Sequence, residues 1–95
     1  MPIQTEWDPA KNQRNRAKHG LDFADAAEVF DGLVSVVEDV RRDYGEPRYK
    51  AIGMLGDMVV SVAFTVRGDA VRVISMRRAG RKERKAYEEA RKERS

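Results

Sequence analysis

Cysteine is absent from the chain. That removes disulfides, thiolate nucleophiles, cysteine-based zinc sites and iron–sulfur clusters together, and it fits a reducing compartment. Histidine occurs once, at His19, so a multi-histidine metal site within one chain is excluded as well. No apolar run approaches the roughly 18 residues of a membrane span. The opening "MPIQTEWDP" has neither the basic start nor the apolar centre of a signal peptide. The expectation is a soluble, cytoplasmic protein needing no cofactor. With 95 residues it has room for one small core, so residues 1–95 are read as a single domain.

What is present is charge, unevenly placed. Met1 to Ala70 holds 9 Lys and Arg against 12 Asp and Glu, whereas Val71 to Ser95 holds 10 against 4. A basic final quarter on a near-neutral body points to a polyanion or an acidic partner, or to a solvated helix rich in Arg and Lys.

"IQTEW" alternates as a short strand does. Asp8-Pro9 is an N-cap followed by proline at the first helical position, and Gly20 supplies the left-handed residue that ends the helix after His19. This Pro9–His19 helix is polar nearly all round, with Lys11, Asn15 and Lys18 on one face. It is expected to dock through its ends, anchored by Trp7, Leu21 and Phe23. Asp22 caps a second helix, "FADAAEVF", whose Phe23, Ala26, Ala27 and Phe30 face the core. Four β segments follow: "LVSVVEDV", "RYKAIGML", "MVVSVAFTV" and "AVRVISMR", with a polar loop at Arg41–Arg48 between the first two. "GRKERKAYEEARKERS" is a charged terminal helix with Ala79, Ala86 and Ala90 as small contacts and Tyr87 as anchor, fraying towards Ser95. The expected fold is α+β: a small antiparallel sheet with two N-terminal helices and a C-terminal helix.

The tight reversals at Gly56-Asp57 and Gly68-Asp69 set a register. Leu55 then pairs with Met58, and Arg67 with Ala70. One face carries Tyr49, Ala51, Gly53 and Leu55 with Phe64, Val62, Val60, Met58, Val71 and Val73, and is the core face. The other carries Arg48, Lys50, Ile52 and Met54 beside Thr65, Ala63, Ser61 and Val59, then Arg72, Ile74 and Met76. Arg48, Thr65 and Arg72 form one row, with Glu46 and Arg67 just beyond. Adjacent like charges cost a sheet stability. The group is therefore either a candidate anion site or a set of side chains splayed into water.

These residues suit metal-free cleavage of RNA. The 2′-hydroxyl attacks the adjacent phosphorus. The enzyme supplies a base, an acid and cations for the phosphorane charge. Arginine matches phosphate oxygens with its planar fork, and Glu46 or His19 can move protons. His19, at a helix end beside Lys18, is equally suited to satisfying the last carbonyls of its helix.

The stretch "EWDPAKNQRNRAKHGLDFADAAEVF" resembles the opening of the BrnT-like toxins. Their pattern is a strand ending in E-W-D-P, then K-x-x-x-N-x-x-K-H-G, then F-x-x-A-x-x-V-F. The likeness continues, in order, through "DYGEPRY", "IGML", "FTVRG" and "VRVISMRRAGRKERKAYEE". It implies a RelE-like ribonuclease fold and the toxin role in a type II toxin–antitoxin pair. It also implies a ribbon-helix-helix antitoxin, BrnA-like, that blocks the toxin and links it to operator DNA only indirectly. Matched positions make Glu46, Arg48, Arg67, Arg72, Arg77 and His19 the candidate catalytic residues. Lys11, Asn15 and Lys18, with Lys50 from the sheet face, are candidate RNA contacts. Arg77 falls on the core face in a regular register, so it has another role or the strand is bulged. The chain departs from the pattern at Met76, at Gly80 (where Thr or Ser is usual), at Asp31-Gly32, and at Arg41-Arg42-Asp43-Tyr44, where a histidine is common.

Two other readings stand beside the ribonuclease. One is a non-catalytic module whose basic face binds RNA or an acidic antitoxin segment and acts in operon regulation. The other gives the last helix a DNA-contacting role, which Glu83, Glu88, Glu89 and Glu93 oppose.

Overall fold

The computed structural model describes residues 3–94. Met1, Pro2 and Ser95, and with Ser95 the expected fraying end, lie outside the described residues. The elements run in the order β1 (Gln4–Trp7), α1 (Pro9–His19), a 3-10 turn (Phe23–Asp25), α2 (Ala26–Asp31), β2 (Val34–Glu38), β3 (Tyr49–Leu55), β4 (Met58–Arg67), β5 (Ala70–Arg78) and α3 (Arg81–Arg94).

Local chemistry accounts for most boundaries. Asp8 accepts from Ala10 N at 2.9 Å, Pro9 opens α1, and Gly20 closes it at φ 71°. Asp22 accepts from Ala24 N at 2.9 Å. What reads as one helix in the sequence is split here into the 3-10 turn and α2. Its buried stripe is Phe23, Ala26 and Val29, while Ala27 and Phe30 are only partly covered.

The sheet has five strands in the order β1-β5-β4-β3-β2. It is mixed, which corrects the expectation of an antiparallel sheet: β1 runs parallel to β5, pairing Gln4 with Ala70 through Trp7 with Val73. A parallel neighbour needs a long crossover, and here residues 8–69 supply it. The β3–β4 register is the one read from the turns, Tyr49 with Phe64 through Leu55 with Met58.

The β4–β5 ladder begins as expected, from Arg67 with Ala70 to Phe64 with Val73, then slips so that Ala63 pairs with Ser75. Ile74 is the extra residue of a β-bulge. Beyond a bulge every side chain changes face. Met76 is consequently carried into the core, fully buried, and Arg77 comes to the opposite face beside Ser61. The placement of Met76 on the second face is thereby corrected. A regular strand would have buried a guanidinium and exposed a thioether, so burial energetics favour the slip.

The core lies between the first sheet face and the α2 side: Leu21, Phe23, Ala26, Val29, Ala51, Val60, Val62, Phe64, Val73 and Met76. Gly53 permits the close approach of α2. A Cβ there would stand 2.9 Å from Cγ1 of both Val29 and Val34. On the second face α3 covers one half only, closing a smaller cluster of Ile52, Ala79 and Tyr87 with Met54 and Val59 at its margin. The Tyr87 hydroxyl donates to Leu33 O at 2.9 Å. Ala86, expected as a contact, is exposed. Among the described residues no helix is long and apolar enough to cross a membrane.

Candidate active site

The half of the second face that α3 leaves open carries Lys50 on β3, Ala63, Thr65 and Arg67 on β4, and Arg72, Ser75 and Arg77 on β5. Small residues hold the centre and cations the margins. Thr65 is buried and donates to Pro47 O at 2.6 Å, tying the segment before β3 to this floor.

Three carboxylates engage four of these cations, Arg77 and Lys50 sharing one of them. Arg77 meets Glu83 in a two-pronged pair, Nη1 to Oε1 at 2.8 Å and Nη2 to Oε2 at 3.0 Å. Lys50 Nζ donates to the same Oε2 at 2.9 Å, and Gly80 N donates to Oε1 at 2.7 Å. Arg72 Nη1 lies 2.8 Å from Glu6 on β1. Arg67 stands 3.6 Å from Glu46, at longer ion-pair range. The Arg48 guanidinium lies 4.1 Å above the Tyr44 ring, and its Nε is buried with no hydrogen-bond partner among the described residues. Of the expected residues, Lys50, Arg67, Arg72 and Arg77 share this face and Glu46 and Arg48 its margin, with the three carboxylates Glu6, Glu46 and Glu83 among them where the sequence suggested one.

Glu83 stands at the third position of α3 and bonds back to Gly80 N, which is half of a capping box. Four N–H donors converge on its carboxylate. They hold its pKa down, from 4.5 to about 2, with the Arg77 hydrogen bonds as the largest cause. The carboxylate therefore stays ionised at neutral pH and orients Arg77 and Lys50 side by side. Their remaining N–H groups are left for an anion: Arg has five donors and Lys three.

The α1 residues form a second, adjoining surface. Lys11, Arg14, Lys18 and His19 line a groove of about 320 Å³ closed by Ile74 and Ser75 of β5. Ser75 faces the open half of the sheet, so groove and cationic face meet at the bulge. Asn15 is buried within this wall and both ends of its amide are engaged. Its Oδ1 accepts from Met76 N at 3.1 Å and its Nδ2 donates to Leu21 O at 3.1 Å. β1 covers the outer edge of β5 only as far as Val73, and beyond it Asn15 satisfies the Met76 N–H. His19 is exposed at the helix end. Its groove reaches the sheet at Ser75, whereas Glu46 lies by Arg67. Ala63, the partner of Ser75, and Arg67 are four residues apart on β4, or about 13 Å at strand spacing. His19 and Glu46 thus flank opposite ends of the face.

Two residues of this surface, Glu6 and Glu83, went unrecognised in the sequence. Glu83 had a signal in its three-residue spacing from Gly80. Glu6 is the first residue of the E-W-D-P pattern, but nothing local pointed it at Arg72, because the contact spans 66 positions through a parallel pairing.

The family model described as "Ribonuclease toxin, BrnT, of type II toxin-antitoxin system" matches residues 7–83. The chain belongs to the BrnT family. That span runs from the end of β1 to Glu83, so it takes in the bulged strand, the cationic face and the carboxylate that latches α3. No curated protein matches the chain. BrnT membership makes this a ribonuclease toxin of a type II system, with RNA as its target and an antitoxin as its partner.

Proposed function

We propose that this BrnT chain is a metal-independent endoribonuclease of RelE-like fold. In this reading it acts in the cytoplasm as one domain over residues 1–95. A BrnA-like ribbon-helix-helix antitoxin neutralises it, and its only link to DNA is through that antitoxin. The observation that carries the reading is the open half-face of the sheet, where Lys50, Arg67, Arg72 and Arg77 surround a floor of small side chains.

An RNA strand crossing this face sets its scissile phosphate over Thr65 and Ser75. Arg72 and Arg77 neutralise the charge that grows on the phosphorane oxygens. Lys50 adds a point charge. Glu46, held beside Arg67, takes the proton of the 2′-hydroxyl as its oxygen bonds to phosphorus. The P–O5′ bond then breaks and the 5′ oxygen takes a proton from water at this exposed face. The products are a 2′,3′-cyclic phosphate and a 5′-hydroxyl end. Lys11, Lys18 and His19 bind the flanking backbone along α1. Asn15, with its amide engaged internally, acts by holding α1 against β5.

The test is cleavage of RNA in EDTA with identification of the new ends. Cyclic phosphate ends that disappear in Arg67→Ala and Arg72→Ala, with the fold retained, support the mechanism. Full activity in both variants removes the cluster from it. Expression in growing cells separates catalysis from a purely binding role, since only catalysis fragments mRNA as growth stops.

A further inference from the structure

The Arg41–Arg48 loop is polar and lies between strands, yet it is tightly held. Asp39 N donates to Arg48 O at 2.7 Å and closes its base. Arg41 grips the Asp39 carboxylate through Nε and Nη2, both at 2.9 Å. The Tyr44 hydroxyl donates to Oδ2 of that carboxylate at 3.1 Å, sharing it with Arg41 Nη2. The Tyr44 ring is thereby fixed in place. The Arg48 guanidinium carbon lies 4.1 Å from the ring centroid, while that of the exposed Arg42 stands off at 5.8 Å.

This geometry differs from a phosphate clamp. Arg48 was expected to reach the anion, but its plane is spent on the ring and its Nε is turned into the protein. The hollow beside the pair, about 410 Å³, also carries Asp43 and Glu46 on its wall. Carboxylates repel a phosphate, and they accept hydrogen bonds without donating. The part of a nucleotide that suits such a hollow is its uncharged, flat part. Single-stranded RNA is read in this way elsewhere, by bases stacked on aromatic rings and guanidinium planes.

We propose that Tyr44 and Arg48 form a stacking platform for one nucleobase next to the cut, with Arg42 displaced by the incoming base. Arg48 directly precedes β3, whose first residue pairs with Phe64, and the next residue of β4, Thr65, pairs with Arg72. A strand whose phosphate is held at Arg72 brings a neighbouring base to the loop. The Asp43 and Glu46 carboxylates, which accept hydrogen bonds and donate none, favour a base bearing an exocyclic amine over uracil, beside the Arg42 and Arg48 cations of the same hollow. This rests on the ribonuclease reading above and makes Tyr44 a determinant of where that activity cuts.

The experiment walks a 2-aminopurine along a 2′-O-methyl oligonucleotide, which binds without being cut, and follows its fluorescence with the whole chain. Quenching at one position is expected. Tyr44→Leu should abolish it and weaken binding about tenfold, the scale of one lost base–aromatic stack. Tyr44→Phe should retain both. Arg48→Lys, which keeps the charge but loses the plane, gives a second variant should Tyr44→Leu fail to fold, and it too should lose the quenching. No quenched position in the unaltered chain, or unchanged quenching in both Tyr44→Leu and Arg48→Lys, overturns the platform. Cut-site mapping separates the two claims. An inactive chain with Tyr44-dependent quenching refutes the ribonuclease and leaves the platform. An active chain whose cut preference is the same in Tyr44→Leu refutes the platform and leaves the ribonuclease.

Discussion

Asn15 illustrates how one polar residue can organise a polar helix. α1 has almost no apolar stripe, yet it sits against β5 because Asn15 satisfies a strand N–H and a loop carbonyl together. Removing it leaves two buried backbone groups unpaired, each worth about 1–3 kcal/mol. Asn15→Ala should lower unfolding free energy by about 2 kcal/mol or more in urea titrations, whereas Arg14→Ala, exposed one position away, should shift it by less than about 0.5 kcal/mol. Glu83 makes a different prediction. Its folded pKa is depressed, so its contribution to stability is complete above the ordinary 4.5 and is lost as pH falls towards about 2. Glu83→Gln should therefore be less stable than the unaltered chain at pH 7, and the difference should shrink by pH 3. If Glu83 positions Arg77 and Lys50 for RNA, the same variant should also raise KM more than a stability-matched control does.

Among the elements, β5 and α2 carry the clearest constraints. The Ile74 bulge lets one strand present Val73 and Met76 to the core while Arg72, Ser75 and Arg77 face the open side. Deleting Ile74 would restore a regular ladder and reverse the last half-strand. The expected outcome is loss of cooperative unfolding in a thermal melt. At the α2 contact, Gly53→Ala places a methyl group against Val29 and Val34, the side-chain ends nearest to it. Overpacking of this kind costs about 1–3 kcal/mol, so the denaturant midpoint should fall with the slope unchanged. The α3 helix is held differently, by Tyr87 in a small cluster and by Glu83 on the cationic face. It covers half of the sheet and leaves the other half open.

For the whole molecule the relevant quantity is the field. A net charge of +3 is small, but the fold sets six cations along adjoining surfaces: Lys11, Arg14 and Lys18 along α1, and Lys50, Arg72 and Arg77 across the sheet. RNA binding should accordingly weaken steeply with salt, by about 0.7 in the logarithmic slope for each phosphate neutralised on a single strand. Arg72→Ala and Lys18→Ala should each reduce that slope by about one contact. A slope unchanged in both would place the RNA on another surface. On the sheet face three carboxylates offset this field, pairing with Lys50, Arg67, Arg72 and Arg77.

The elements and both hairpin turns were legible in the chain itself, because caps, glycines at positive φ and period-two patterns act over a few residues. The gathering of Arg48, Arg67, Arg72 and Glu46 at one margin followed from those turns alone. Tertiary structure decided what no local pattern carries: the parallel docking of β1 that gives Arg72 its Glu6, the bulge that turns Arg77 outward, the burial of Asn15, and the return of Glu83 to Lys50. Each depends on packing between distant segments, where burying Met76 rather than Arg77, and leaving no strand donor unpaired, outweighs the regularity a strand would otherwise keep.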